Sequence, residues 1–167
     1  RLAGRAFLVR YADDFVIAFS NESDARRVMD VLPKRFGKYG LTVHPEKTRL
    51  IEFKPPTDRR KPTGLPRTFD LLGFTHHWAR SLKGSWVVKR KTSSKRLTRG
   101  VQAITDWCRR HRHLPVREQH QKLSQKLQGH CAYYGITGNS SSLSAFRMQV
   151  HRIWRYWLSR RTRKRSM

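Results

Sequence analysis

Apolar and polar positions alternate with one period in the first half of the chain and another in the second. Ala6-Phe7-Leu8-Val9-Arg10 and Phe15-Val16-Ile17-Ala18-Phe19 are short runs rich in β-branched and aromatic residues. Phe7, Val9 and Tyr11 alternate with Leu8 and Arg10, as residues on opposite faces of a strand do. The pair predicts a hairpin with Tyr11-Ala12-Asp13-Asp14 at its tip. From Asn21 to Tyr39 the spacing turns helical, with Ala25, Val28, Met29, Leu32 and Phe36 on one stripe and Asn21 or Ser23 as cap. Pro33 lies inside that stripe and predicts a kink or an early stop. Leu41–His44 predicts a short strand, Pro45-Glu46-Lys47 a turn, Thr48–Phe53 another strand, and Lys54–Arg67 a proline-rich loop. Thr68–Trp78 and Ser85–Lys91 predict a second hairpin joined around Leu82-Lys83-Gly84. Gly73, alone inside its first strand, predicts close approach of another backbone or a ligand.

From Thr92 onward the period is helical. Leu97, Val101, Ile104 and Cys108 share one face, with Trp107 beside them. Pro115 can open a second helix, with Val116, Leu123, Leu127, Cys131 and Tyr134 on its apolar side. After the turn-rich Gly135–Ser142, a third helix is lined by Leu143, Phe146, Val150, Ile153, Trp154 and Trp157. The expected class is α+β: a sheet-and-helix part over residues 1–91, then an all-α part of three helices over residues 92–167.

Charge sharpens this division. The chain holds 37 Lys and Arg against 11 Asp and Glu in 167 residues, a net of +26. Residues 1–53 carry 10 basic and 7 acidic residues, and residues 54–167 carry 27 and 4. Such an excess points to a polyanionic partner. A disordered basic tail of ribosomal-protein type is opposed by five Trp, eight Phe and five Tyr, which favour a packed core. No apolar run is long enough to span a bilayer, so a membrane is not the expected partner. Cys108 and Cys131 form no paired motif and match no standard zinc spacing, so both are expected as buried thiols in a reducing, cytoplasmic setting. The scattered histidines are expected at the surface or in contact with phosphates. The chain starts at Arg1 almost directly in a strand, as a piece of a longer polypeptide would.

Asp13 and Asp14 are the candidate chemistry. Adjacent carboxylates at a strand turn repel each other, and a divalent cation is their natural compensation, because hard cations prefer carboxylate oxygens. An ordinary hairpin with an acidic turn is the plainer alternative.

The order of motifs resembles a known family. Tyr11-Ala12-Asp13-Asp14-Phe15-Val16, a helix, Gly40-Leu41-Thr42-Val43, Glu46-Lys47-Thr48 and Phe69-Asp70-Leu71-Leu72-Gly73-Phe74 look like the C-terminal half of the palm of a group II intron reverse transcriptase, or maturase. Gly129-His130-Cys131-Ala132-Tyr133-Tyr134-Gly135, Asn139, Leu143, Phe146, Trp154, Leu158, Arg160 and Arg161 resemble the thumb, or X domain, of bacterial members. The resemblance implies a partial polymerase palm followed by a helical thumb. It also implies RNA-directed DNA polymerase activity on intron RNA or an RNA template, with a DNA primer, deoxynucleotide substrates and two Mg2+ ions.

It implies roles as well. Asp13 would be the main metal ligand and Asp14 a secondary one, since successive strand residues face opposite ways. Tyr11 and Ala12 would lie near the primer terminus. Lys47 would approach the triphosphate, unless it is a solvated turn lysine. Leu72, Gly73 and Phe74 would form the primer grip, unless they are a bulged core strand. Tyr133 and Tyr134 would line the nucleic-acid channel, one of them packing in the core. Arg147, Arg152, Arg155, Arg160 and Arg161 would contact phosphates. Polymerases of this type hold the metals with a further Asp from an earlier strand, so this chain would supply the metal site only in part. A basic RNA-binding, splicing-assisting module without catalysis is the alternative.

Overall fold

A computed structural model describes residues 1–56 and 68–161. The class is α+β, with two small antiparallel sheets and four helices among the described residues. They form two compact units, one built on residues 1–54 and the other on residues 68–161.

In the first unit, β1 (Ala6–Tyr11) pairs with β2 (Asp14–Phe19), in register from Ala6 opposite Phe19 to Tyr11 opposite Asp14. α1 (Glu22–Gly37) packs on β2, and Phe15 meets Phe36 edge-on with centroids 6.2 Å apart. The N-terminal residues are tied down by a buried carboxylate. Asp24, 2 % exposed, accepts the backbone N–H groups of Ala3 and Gly4. Those bonds, Gly4's foremost, hold its carboxyl below the usual range, with help from the Arg27 charge. A Cβ on Gly4 would overlap the Ser20 and Asn21 side chains, so the close approach needs glycine.

Of the kink or early stop expected at Pro33, the early stop does not occur, because α1 runs through Pro33 to Gly37. Its end is set by Gly40, at φ +69: Leu41 N–H donates to Phe36 O and Gly40 N–H to Gly37 O, a Schellman ending. Residues 41–44 and 48–53 form no strand, although the turn between them does form. A strand exists only beside a partner edge, and these segments meet none among the described residues. The loop expected over Lys54–Arg67 lies mostly outside them.

In the second unit, β3 (Phe69–Leu71), β4 (Phe74–Arg80) and β5 (Trp86–Thr92) form a meander in that order. The single strand expected over Thr68–Trp78 is therefore two, folded back at Leu72-Gly73. Both turn residues have positive φ, +52 and +81, which is the hairpin-turn geometry that matches strand twist. Then come α2 (Ser94–Arg110), α3 (Val116–Tyr134) and α4 (Ser140–Ser159). Ile104, Cys108, Leu123, Phe146 and Val150 are buried between them, with Leu97, Val101, Trp107, Leu127, Ile153, Trp154 and Trp157 packed around. The compact division thus falls near residue 67, with the three-stranded sheet joined to the helices.

Two buried amides fasten this unit. Asn139 Oδ1 accepts Thr92 N–H at 2.9 Å, and its Nδ2 donates to Thr92 Oγ1 and to Tyr134 O at 2.9 and 2.8 Å. One side chain therefore joins the end of β5, the end of α3 and the start of α4. Gln119 donates to Leu114 O and accepts the Trp154 indole N–H at 3.0 Å.

α3 departs from its apolar pattern. Val116 and Cys131 are exposed. Gln119 and His130 take the inward line with Leu123 and Leu127, and His130 stacks on Phe146 at 3.9 Å. Cys108 is buried as expected, its thiol pushed up to about 11 by burial. The histidines are not all superficial, since His76 stacks on Phe69 at 4.6 Å. Burial lowers the pKa of both His76 and His130. No described helix is long and apolar enough to cross a membrane.

All five tryptophans lie in the second unit, so their fluorescence follows its unfolding alone. Asn139→Ala leaves the buried Thr92 N–H without its acceptor and is expected to cost about 1–3 kcal/mol in a urea titration read this way. A loss within error would show that water replaces the amide at no cost. Acid should also weaken this unit. The unfolded chain binds protons at His76 and His130 near their ordinary 6.5, while the folded chain resists. Stability is therefore present above that pH and is lost as pH falls toward the lowered folded values. The tryptophan-detected Tm should be lower at pH 5 than at pH 7.5, and His130→Phe should narrow the gap; an unchanged gap would locate the effect elsewhere.

Candidate metal-binding turn and nucleic-acid interface

The hairpin of the first unit presents its carboxylates at the tip. Ala12 and Asp13 are the two turn residues, and Asp14 is the first residue of β2. Ala12 takes φ +50, which costs a side-chain-bearing residue energy, and the Arg10 guanidinium braces the turn by donating from Nε to Ala12 O at 2.9 Å. Tyr11, Ala12, Asp13 and Asp14 are all exposed. Neither carboxylate has a hydrogen bond or ion pair from a described side chain. Two free, adjacent oxygen donors fit a hard divalent cation in chemistry but not in number. No third His, Cys, Asp or Glu joins them among the described residues.

Lys47 is exposed in the turn after α1, its backbone N–H bonded to His44 O at 3.2 Å. No hydrogen bond or ion pair links its side chain to the carboxylates among the described residues.

The second unit gathers residues that the sequence kept far apart. Tyr133 donates its hydroxyl to Leu72 O at 3.0 Å and stacks on Phe74 with centroids 6.0 Å apart. Tyr134 packs edge-on against Phe74 at 5.2 Å. A Cβ on Gly73 would lie 2.9 Å from the Tyr134 hydroxyl and 3.5 Å from Arg96 Cγ. The close approach at Gly73 is therefore made by a tyrosine side chain of α3, not by the backbone or ligand expected, and at a hairpin turn rather than inside a strand. The pair divides its labour: Tyr134 is half-buried under the turn, while Tyr133 stays 57 % exposed.

Arg147, Arg152 and Arg155 project from the exposed sides of α4, and Arg160, its C-cap residue, and Arg161 follow directly, also exposed. None has an acidic partner among the described residues, and Glu118 is the last acidic residue of the chain. Tyr156 was not among the residues singled out in the sequence; it lies on α4 under the Arg160 guanidinium, at 4.4 Å. Arg10 and Arg96 were also missed. Arg10 could have been found from its place beside the acidic turn, but Arg96 meets Gly73 only through the fold.

No curated protein and no solved structure matches this chain. Residues 1–76, which include β1, β2, α1 and the Leu72-Gly73 turn, match the family model described as reverse transcriptase (RNA-dependent DNA polymerase).

Proposed function

We propose that this chain carries the C-terminal half of the palm, over residues 1–91, and the thumb, over residues 92–167, of a group II intron-type reverse transcriptase and maturase. The observation that carries the reading is the tight hairpin turn offering Asp13 and Asp14 to solvent inside the segment that matches the reverse transcriptase family. Asp13 is the main Mg2+ ligand and Asp14 the secondary one. When bound, two Mg2+ ions promote attack by a primer 3′-hydroxyl and neutralise the triphosphate. Tyr11 and Ala12 border the primer end, and Lys47 approaches the triphosphate. Leu72, Gly73 and Phe74 form a grip on the primer strand, stiffened from behind by Tyr134. Tyr133 and the arginines of α4 contact RNA. The setting is the bacterial cytoplasm, where intron RNA is the partner.

A non-catalytic module that clamps structured RNA is the second reading. It is favoured by the absence of a third metal ligand among the described residues and by the lack of acid beyond Glu118.

Primer extension on an RNA template with magnesium separates the two. The chain alone is expected to give no extension, because only two carboxylates gather at the turn among the described residues; robust extension would refute that argument. Fused behind the fingers and N-terminal palm of a group II intron reverse transcriptase, it should extend, and Asp13→Ala should abolish extension while RNA binding persists. Joint loss of both would make Asp13 structural, and an inactive but RNA-binding fusion would favour the clamp.

RNA affinity should fall steeply with salt. Each phosphate contact adds about −0.7 to the log–log slope on single strands. Replacing Arg152, Arg155, Arg160 and Arg161 with Gln should flatten that slope; an unchanged slope would place the phosphate contacts on another face.

A further inference from the structure

α4 exposes large apolar side chains among its arginines. Met148 is 54 % and Tyr156 49 % exposed. Met148, Arg152 and Tyr156 follow one another at four-residue spacing along one side of α4, and Arg160, its C-cap residue, continues that spacing. This stripe is separate from the buried line of Phe146 and Val150. The Tyr156 ring is held from two directions. The Arg160 guanidinium lies over it at 4.4 Å, and Trp157 meets it edge-on at 5.3 Å. About half of the tyrosine nevertheless stays accessible.

A ladder of this kind has a definite chemistry. These arginines have no acidic partner among the described residues, and α4 carries no Asp or Glu, so an anion is the complement they lack. A fixed aromatic ring and a methionine between those arginines need flat apolar surface at the same place. A phosphodiester chain with unstacked bases offers both, since every base has a π-face. A closed duplex offers the phosphates alone, its bases being stacked on one another. An acidic protein segment would satisfy the arginines but not a stacked ring.

We propose that the Met148–Arg152–Tyr156–Arg160 stripe is a binding site for unpaired nucleobases of single-stranded RNA. Tyr156 is the stacking platform, Met148 packs against the base edge, and Arg152 and Arg160 take the flanking phosphates. The assignment rests on the RNA-binding part of the function proposed above and adds base recognition to backbone contact.

The test compares a short oligoadenylate with an abasic oligonucleotide of the same length and charge, both at low salt, using the full chain. The wild-type chain should bind the oligoadenylate about tenfold more tightly, within the usual range for aromatic stacking. Tyr156→Ala should weaken oligoadenylate binding about fivefold or more and leave the abasic strand unaffected. Tyr156→Phe should behave as wild type. Tyr156→Leu, which keeps apolar volume without a π-face, should show the selective loss even if the alanine variant folds poorly. Arg152→Gln should weaken both probes alike. Equal wild-type affinity for the two probes, or an equal effect of Tyr156→Ala on both, would overturn the base site while leaving phosphate binding in place. Binding of neither probe would overturn the RNA reading together with this one.

Discussion

The junction of sheet and helices in the second unit turns on a single amide. Asn139 satisfies Thr92 through its backbone N–H and its hydroxyl, and satisfies the last turn of α3 through Tyr134 O. It is 1 % exposed, and its two bonds to Thr92 are made away from water, where an unmatched partner would be costly. The consequences spread from there. Thr92 ends β5, and the next residue, Ser93, donates its N–H to Gly73 O, which fixes the Leu72-Gly73 turn. Tyr134 ends α3 and lies against the same turn, beside the Tyr133 bond to Leu72 O. The hairpin turn is thus held by two routes that both return to Asn139. No apolar contact could impose such a register, because burial is not directional whereas an amide accepts and donates at defined positions.

Much of this architecture was legible from residue pattern. The β1–β2 hairpin, with its acidic tip, follows from alternation on either side of Tyr11–Asp14, and the three late helices follow from apolar spacing. Part of what escaped the pattern has one cause: polar side chains turned inward by partners outside their own apolar stripe. Gln119 and His130 sit on the inward line of α3 because a carbonyl, an indole and two aromatic rings await them, and a hydrophobicity pattern points instead to Val116 and Cys131. The Leu72-Gly73 turn was hidden because Leu72 is a poor choice for positive φ and reads as strand. Residues 41–53 erred the other way. Their strand pattern is real, but a strand is a relation between two segments and cannot be read from one.

The candidate site was legible by composition and only partly by geometry. Asp13, Asp14 and the α4 arginines stand where the pattern put them, exposed and without acidic or basic partners among the described residues. Their environment could not be read in advance. A side chain's partners belong to the fold, as Arg10 bracing Ala12 and Arg96 beside Gly73 illustrate.

Charge sets the remaining constraint on the helices. Fully buried apolar side chains are few here, and much of the apolar contact comes from half-buried rings such as Trp107, Trp154 and Trp157. Such a core gains less from burial than a fully enclosed one. Around it the surface repels itself, with no carboxylate after Glu118 to offset the arginines of α4. Directional bonds compensate by holding the rings in place: Gln119 secures Trp154, and Asn139 secures both ends of the α3–α4 connection. A polyanion bound to the arginines of α4 would relieve the repulsion between charges that folding fixes along one helix. Folding and binding are then thermodynamically linked, and the basic surface that weakens the free protein is the same one that would stabilise its complex.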